Sequence, residues 1–241
     1  MPMSNEQSSK QVVGYAAAEY VRDGMRIGLG TGSTVAFFLE ALAEKMAKEK
    51  ISVIGVCTSQ QTEEHAKKLG IPVSTLAETP HLDIAVDGAD EVDEQFRLIK
   101  GGGGALLREK IVAAAAESVI IIIGAGKYVS KLGSGFLLPI EVLPFGYQST
   151  KTQVAQKGGC TPYLRTIESG EPFVTDNGNY IFDCKFENGI DAPEATHSIL
   201  SQIAGVAEEG IFLNLCDLVL EADAEGNLVK HSTDYARNLF A

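Results

Sequence analysis

The chain has 241 residues, 45% of them hydrophobic and 22% charged, an ordinary composition for one large α/β domain or a main domain with a smaller second one. Its formal net charge of −12 speaks against non-specific nucleic-acid binding, which rests on basic patches. The apolar runs are too short for a membrane span, and the opening "MPMSNEQSS", expected to fray, has neither the basic nor the apolar segment of a signal peptide.

In chain order, Val12 to Val21 reads as an amphipathic helix and Met25 to Gly30 as a short buried strand ending in glycine. Thr34 to Lys50 is a helix by period, Ile51 to Ser59 a strand, and "QQTEEHAKKLG" a helix stopped by Gly70. A strand then ends near Asp87 and another at Lys100, followed by a helix over Leu106 to Glu117 and an apolar strand over Val119 to Ile123. Apolar strands without alternation, separated by helices, predict a doubly wound α/β domain with a parallel sheet covered on both faces. After about Gly135 the texture changes. A strand (Ile140 to Phe145), a helix (Thr150 to Lys157) and a strand (Cys160 to Arg165) precede "FVTDNGNYIFDCKF", a hairpin signal around Asn177-Gly178, and a helix over Pro193 to Ile203. That order suits a small split βαβ sheet. "IFLNLCDLVLEAD" returns to buried strand character, so the predicted division is a main domain over 1–136, rejoined by 210–241, with an inserted domain over 137–209.

Four polar or glycine-rich stretches fall where strands end, the place at which open α/β sheets collect ligands: "GLGTGST", "DGADE", "KGGGG" and "GAGK". "GTGST" opens a helix whose N–H groups, with the hydroxyls of Thr31, Ser33 and Thr34, make a ready phosphate site. Taken alone, the same residues fit a capped helix after a glycine turn. Lys127 of "GAGK" fits a solvated surface lysine as well as a ligand. Asp87, Asp90, Glu91 and Asp93 read either as solvated carboxylates around an Asp-Gly turn or as groups that bind sugar hydroxyls and pass protons between oxygens. Lys100 and the four glycines after it interrupt a strand-to-helix step, a poor place for a linker. They let the backbone approach a ligand and turn N–H donors toward it. Glu109 follows in the early turns of the helix, either as an exposed residue paired with neighbours or as a carboxylate base. A cation, a nest of donors and a carboxylate base together suit proton removal next to a carbonyl.

The cysteines (Cys57, Cys160, Cys184, Cys216) show no C-x-x-C spacing, and the histidines (His65, His81, His197, His231) show neither H-x-x-x-H nor H-E-x-x-H. Reduced thiols in a cytoplasmic protein, with no metal site, are the reading.

"GLGTGST", "VDGADE", "IKGGGGALLREK" and "VTDNGN", in this order, resemble ribose-5-phosphate isomerases of the A type, over essentially the whole chain from about Val12. The resemblance implies a Rossmann-like domain carrying a smaller ferredoxin-like one, homodimers or dimers of dimers, and interconversion of ribose 5-phosphate and ribulose 5-phosphate without metal or organic cofactor. It places the phosphate and substrate loop on Thr31, Gly32, Ser33 and Thr34, and the aspartate loop on Asp87, Gly88, Ala89 and Asp90. The lysine-glycine loop falls on Lys100, Gly101, Gly102 and Gly103, the proton acceptor on Glu109, and a further substrate-binding lysine on Lys127. In an isomerase reading Lys10 is a second candidate cation for the phosphate. Similar proteins often carry alanine where this chain has Gly104, and "GAGK" is less polar than usual before its lysine. The tail "DYARNLFA" matches nothing in the resemblance. The implied partner is a small sugar phosphate, not nucleic acid or membrane.

Two other classes share the architecture. Sugar-phosphate sensor domains need no base and carry a DNA-binding helix pair upstream, for which the roughly ten residues before the first predicted helix are expected to leave no room. Coenzyme A transferases use a glutamate nucleophile, and the phosphate loop speaks against them.

Overall fold

The computed structural model describes residues 5–223 and 225–232, so the tail "DYARNLFA" lies outside the described residues. The elements are α1 (Asn5–Ala18), β1 (Arg26–Leu29), α2 (Ser33–Glu49), β2 (Ile54–Cys57), α3 (Gln60–Lys68), β3 (Val73–Ser74), β4 (Leu82–Gly88), β5 (Glu91–Asp93), β6 (Leu98–Ile99), α4 (Leu106–Ala114) and β7 (Ala116–Gly124). They continue with β8 (Tyr128–Val129), β9 (Leu138–Val142), α5 (Tyr147–Gly158), β10 (Thr161–Leu164), β11 (Tyr180–Lys185), α6 (Pro193–Leu200), β12 (Val206–Glu209), β13 (Ile211–Phe212), β14 (Leu218–Ala222) and β15 (Leu228–Ser232). The chain divides into two compact units.

The first unit holds the residues up to Ala89, Arg108–Tyr128 and the segment from Asn214. Its seven-stranded sheet has the order β15-β14-β7-β4-β1-β2-β3. The neighbours from β14 to β3 run parallel, and only the terminal β15 is antiparallel to its partner. Ile27, Leu29, Ile84, Val86, Ile120, Ile122, Leu218 and Leu220 alternate along four of these strands. They bury one sheet face against Val13 and Ala17 of α1 and Val35, Phe38, Leu39 and Leu42 of α2. Gly28, on the other face, lies against Val112 of α4, which packs with Val56 and Leu82. Burial on both faces is why these strands are apolar without alternation, and the doubly wound α/β class follows from it.

The second unit holds Asp90–Leu107 and Val129–Leu213. Its elements β9-α5-β10-β11-α6-β12 form an antiparallel sheet in the order β10-β11-β9-β12, the split βαβ arrangement of a ferredoxin-like domain. Leu138, Ile140 and Val142 of β9, Phe182 and Cys184 of β11, Val154 of α5 and Leu200 of α6 fill its core. This unit takes in more chain than 137–209. The residues around β5 and β6 join it because β6 pairs on one side with β5 and on the other with β13, Ile99 opposite both Glu91 and Ile211.

Several expected elements differ. α1 begins at Asn5, within the stretch expected to fray. α4 ends at Ala114 rather than Glu117, because Ala116 and Ser118 pair with Leu82 and Ile84 as the start of β7. The hairpin around Asn177-Gly178 has no first arm: β11 pairs instead with β10 and β9. The 175–179 turn is held by the fully buried Glu141 of β9. Its Oε1 accepts from the Thr175 hydroxyl (2.9 Å), Asn177 Nδ2 (3.0 Å) and Asn179 Nδ2 (2.9 Å). All four cysteines are free, and among the described residues no helix is long and apolar enough to cross a membrane.

Candidate active site

In the first unit, β1 and β4 lie side by side, so the loops after Leu29 and after Val86 meet at their carboxyl ends. Asp87 is 6% exposed and its Oδ1 accepts from the backbone N–H of Thr31 (3.0 Å) and of Gly88 (2.7 Å). Gly30 makes the room: a Cβ there would stand 2.1 Å from Asp87 Oδ1. The glycine-threonine loop and the aspartate loop are thus one hydrogen-bonded assembly.

Thr31 is tied inward on its side chain as well. Its hydroxyl lies 2.7 Å from that of Thr58 and donates to Ser59 Oγ (2.8 Å). Ser59 caps α3 by accepting from Thr62 N–H (3.1 Å), and the Thr62 hydroxyl donates to Gly30 O (2.8 Å). Thr34 is buried, whereas Gly32 and Ser33 are exposed at the start of α2. No side chain caps that helix and no acidic residue occupies its first turn, which leaves its positive end open to an anion. A cavity of about 210 Å³ lies there, walled by Gly32, Ser33, Gln61, Thr62 and His65 among others. A larger one of about 820 Å³, lined by Tyr20, Arg22, Asp23 and Asp83 near the amino ends of β1 and β4, contains none of the motif residues. Lys127, half-buried, donates to Ala89 O at 2.6 Å, so it is not a freely solvated lysine. Lys10 lies in α1.

Glu109 stands in the first turn of α4 and is 4% exposed, which sets aside the exposed-helix reading. The helix that carries it follows directly from the glycine run.

In the second unit, Lys100 is 3% exposed, with Nζ 5.5 Å from the ring centroid of Phe212 and its backbone N–H donating to Gly210 O (2.9 Å). Asp90 N–H donates to Ile99 O (2.8 Å), and Asp90 Oδ2 accepts from Gly102 N–H (2.8 Å). The loop turns tightly, Gly104 N–H donating to Gly101 O at 2.9 Å. Gly104 has φ +82°, and a Cβ there would meet the Phe173 ring at 2.6 Å, so alanine does not fit this chain as built. The other acids of "DGADEVD" are occupied: Glu91 accepts from Gly133 and Gly135 N–H (2.6 and 2.8 Å), and the fully buried Asp93 pairs with Arg97 at 2.7 Å. Neither is solvated.

Sequence reasoning passed over two sets of residues. Ser59 and Thr62 carried a signal, a serine immediately before a helical run. Arg165 and its partner Asp183 carried none, since the contacts that matter lie some sixty residues away along the chain.

An α/β sheet whose aspartate loop is bonded to a glycine-threonine loop beside an open helix start defines a class: proteins that hold small phosphorylated ligands at strand ends. The profile of the family described as Ribose 5-phosphate isomerase A (phosphoriboisomerase A) matches residues 54–226. The chain is 48% identical over 218 residues to Ribose-5-phosphate isomerase A 2 of Oceanobacillus iheyensis, covering 90% of this chain and 96% of that one. It is 45% identical to Ribose-5-phosphate isomerase A of Cereibacter sphaeroides, covering 99% and 98% of the two chains. Among solved structures, ribose 5-phosphate isomerase from Plasmodium falciparum superposes with a TM-score of 0.91 at 39% identity, over 95% of this chain and 100% of that one. A D-ribose-5-phosphate isomerase in complex with phospho-erythronic acid gives 0.90 at 38% identity, with the same coverage. The chain belongs to the ribose-5-phosphate isomerase A family.

Proposed function

We propose that Glu109 and the three strand-end loops carry out the family's reaction, the reversible interconversion of D-ribose 5-phosphate and D-ribulose 5-phosphate in the pentose phosphate pathway (EC 5.3.1.6). Glu109 takes the proton from C2 of the opened aldose, giving a cis-enediolate, and returns it to C1. Lys100 and the N–H groups of Gly101 and Gly103 stabilise the negative oxygen, while the Gly102 N–H holds Asp90. Asp87 assists ring opening and the transfer of one proton from O2 to O1, with Asp90 as its partner at the hydroxyls, so the aldehyde at C1 becomes an alcohol and the alcohol at C2 a ketone. The phosphate is held by Thr31, Gly32, Ser33 and Thr34 at the start of α2, with Gly88 and Ala89 shaping the adjoining loop and Lys127 supplying charge. No metal or organic cofactor takes part. A homodimer in the cytoplasm is the setting that goes with this reading.

The observation that carries it is Glu109: a carboxylate withdrawn from water at the head of a helix entered through four glycines. Burial alone would be a costly place for it without a task. Glu109→Gln keeps the shape and removes the base. Turnover of ribose 5-phosphate should fall by about 10²–10⁴, the usual weight of a general base, and near-normal kcat in the folded variant would refute the assignment.

A further inference from the structure

Arg165 lies outside the motifs that carry the reaction, immediately after β10, yet it reaches the glycine run. Its Nη1 donates to Gly101 O and to Gly102 O, both at 3.0 Å. The rest of the guanidinium is fixed from behind: Nε donates to Asp183 Oδ2 at 2.9 Å, Nη2 pairs with Asp183 Oδ1, and Cζ stands 5.7 Å from the Phe173 ring centroid. Asp183 is itself set by β11, where it pairs with Tyr163 of β10 and Pro139 of β9. A trans peptide directs its C=O and N–H to opposite sides. Holding the carbonyls of Gly101 and Gly102 on one guanidinium therefore turns the N–H groups of Gly102 and Gly103 to the other face. For Gly102 that face is the one with Asp90, whose Oδ2 takes the N–H at 2.8 Å. Glycines have no side chain to fix a peptide plane, so a run of them needs an outside anchor.

We infer that Arg165, oriented by Asp183, is a positioning residue for the isomerisation: it fixes the peptide planes of Gly101 and Gly102 so that the Gly102 N–H keeps Asp90 in place and the Gly103 N–H is turned to the same face, toward the enediolate oxygen. The inference rests on the role proposed above for that loop. Donors that matter only when negative charge develops act on kcat, whereas uniform binding contacts act on KM.

The test compares wild type, Arg165→Met, Arg165→Lys and Glu109→Gln in kcat and KM for ribose 5-phosphate, together with inhibition by phospho-erythronic acid, whose carboxylate offers negative oxygens in place of the enediolate. Lysine keeps the charge but cannot hold two carbonyls while pairing in a fork with Asp183. Both Arg165 variants should lose about 10- to 100-fold in kcat, the scale of an ångström-sized misplacement, with KM little changed and inhibitor affinity lowered more than KM is raised. Wild-type kcat in folded Arg165→Met, or a rise in KM alone, overturns the inference. Should both Arg165 variants fail to fold, Asp183→Asn decides: it leaves the arginine in place and loosens its aim, so kcat must fall, and unaltered kcat refutes it. If Glu109→Gln loses turnover while the arginine variants keep it, only this inference fails. If Glu109→Gln keeps turnover, the reading of the site fails first.

Discussion

Gly102→Ala tests whether the glycine run is required by what approaches it. A Cβ at position 102 would stand 2.7 Å from Asp90 Oδ1, 3.0 Å from Oδ2 and 3.0 Å from Phe136 Cζ. The aspartate must turn away, which costs it the Gly102 N–H now held at 2.8 Å. A hydrogen bond to a charged acceptor is worth about 1.5–3 kcal/mol. The clash with the carboxylate, about 1–3 kcal/mol if nothing moved, is relieved by the same rotation, so those two costs are alternatives rather than a sum, and the Phe136 ring must give slightly as well. For a protein of this size about 1 kcal/mol shifts Tm by roughly 2–4 °C, which gives a fall of roughly 3–12 °C. Turnover should drop by about 10²-fold, because both the aspartate and the donor lose their places. Calorimetry and an isomerase assay on the same preparation read both numbers. A Gly102→Ala protein that melts with the wild type and keeps its kcat would show that Asp90 yields without cost, and the argument from close approach would be refuted.

Two further outcomes follow from contacts away from the glycine run. The Arg26 guanidinium hydrogen-bonds Asp83 (2.7 Å at Oδ1) and, with the Arg26 backbone N–H, holds that carboxyl below its ordinary pKa. A folded pKa below the unfolded value of about 3.9 gives stability that is complete above that value and lost as pH falls through the folded one. Asp83→Asn should therefore lower Tm at neutral pH by no more than about 2–4 °C, the pair being partly solvent-exposed, and the gap to wild type should begin to narrow as pH falls below about 4; a gap that stays constant down to pH 3 would contradict this. Ser59→Ala removes the cap of α3 and the acceptor of the Thr31 hydroxyl. It should cost about 0.5–2 kcal/mol, and an unshifted unfolding midpoint in denaturant would remove Ser59 from its role.

The architecture was legible wherever burial imposes a period. The runs Ile27–Leu29, Ile84–Val86 and Val119–Ile123 are apolar because both faces of their sheet are covered, and α2 shows its stripe through Val35, Phe38, Leu39 and Leu42. The strand-end loops were legible too, since glycine and aspartate mark turns by their own chemistry. What local pattern could not supply is pairing. Ala116 and Ser118 continue a helical composition and become strand only because Leu82 and Ile84 lie beside them. The two-residue strands β3, β6, β8 and β13 are too short to show a period. "FVTDNGN" carries a hairpin turn, but Glu141, from another strand, holds that turn in place of a partner arm. The same blindness hid Arg165: nothing near "PYLRTIE" points to Gly101. For the site residues, chain position was readable, while the inward ties of Thr31 and of Lys127 to Ala89 needed coordinates.

The division of the chain has a consequence for how such proteins change. Of the four crossings between the two units, one falls at Ala89 and Asp90, inside the aspartate loop, and one at Leu107 and Arg108, inside α4 just before Glu109; the others fall at Tyr128 and Val129 and at Leu213 and Asn214. Domain exchange ordinarily succeeds at slack, unstructured joints. At two of these joints the scissors would land inside the aspartate loop or the first turn of the helix that bears Glu109. Exchange of the smaller body is thereby disfavoured at those two seams.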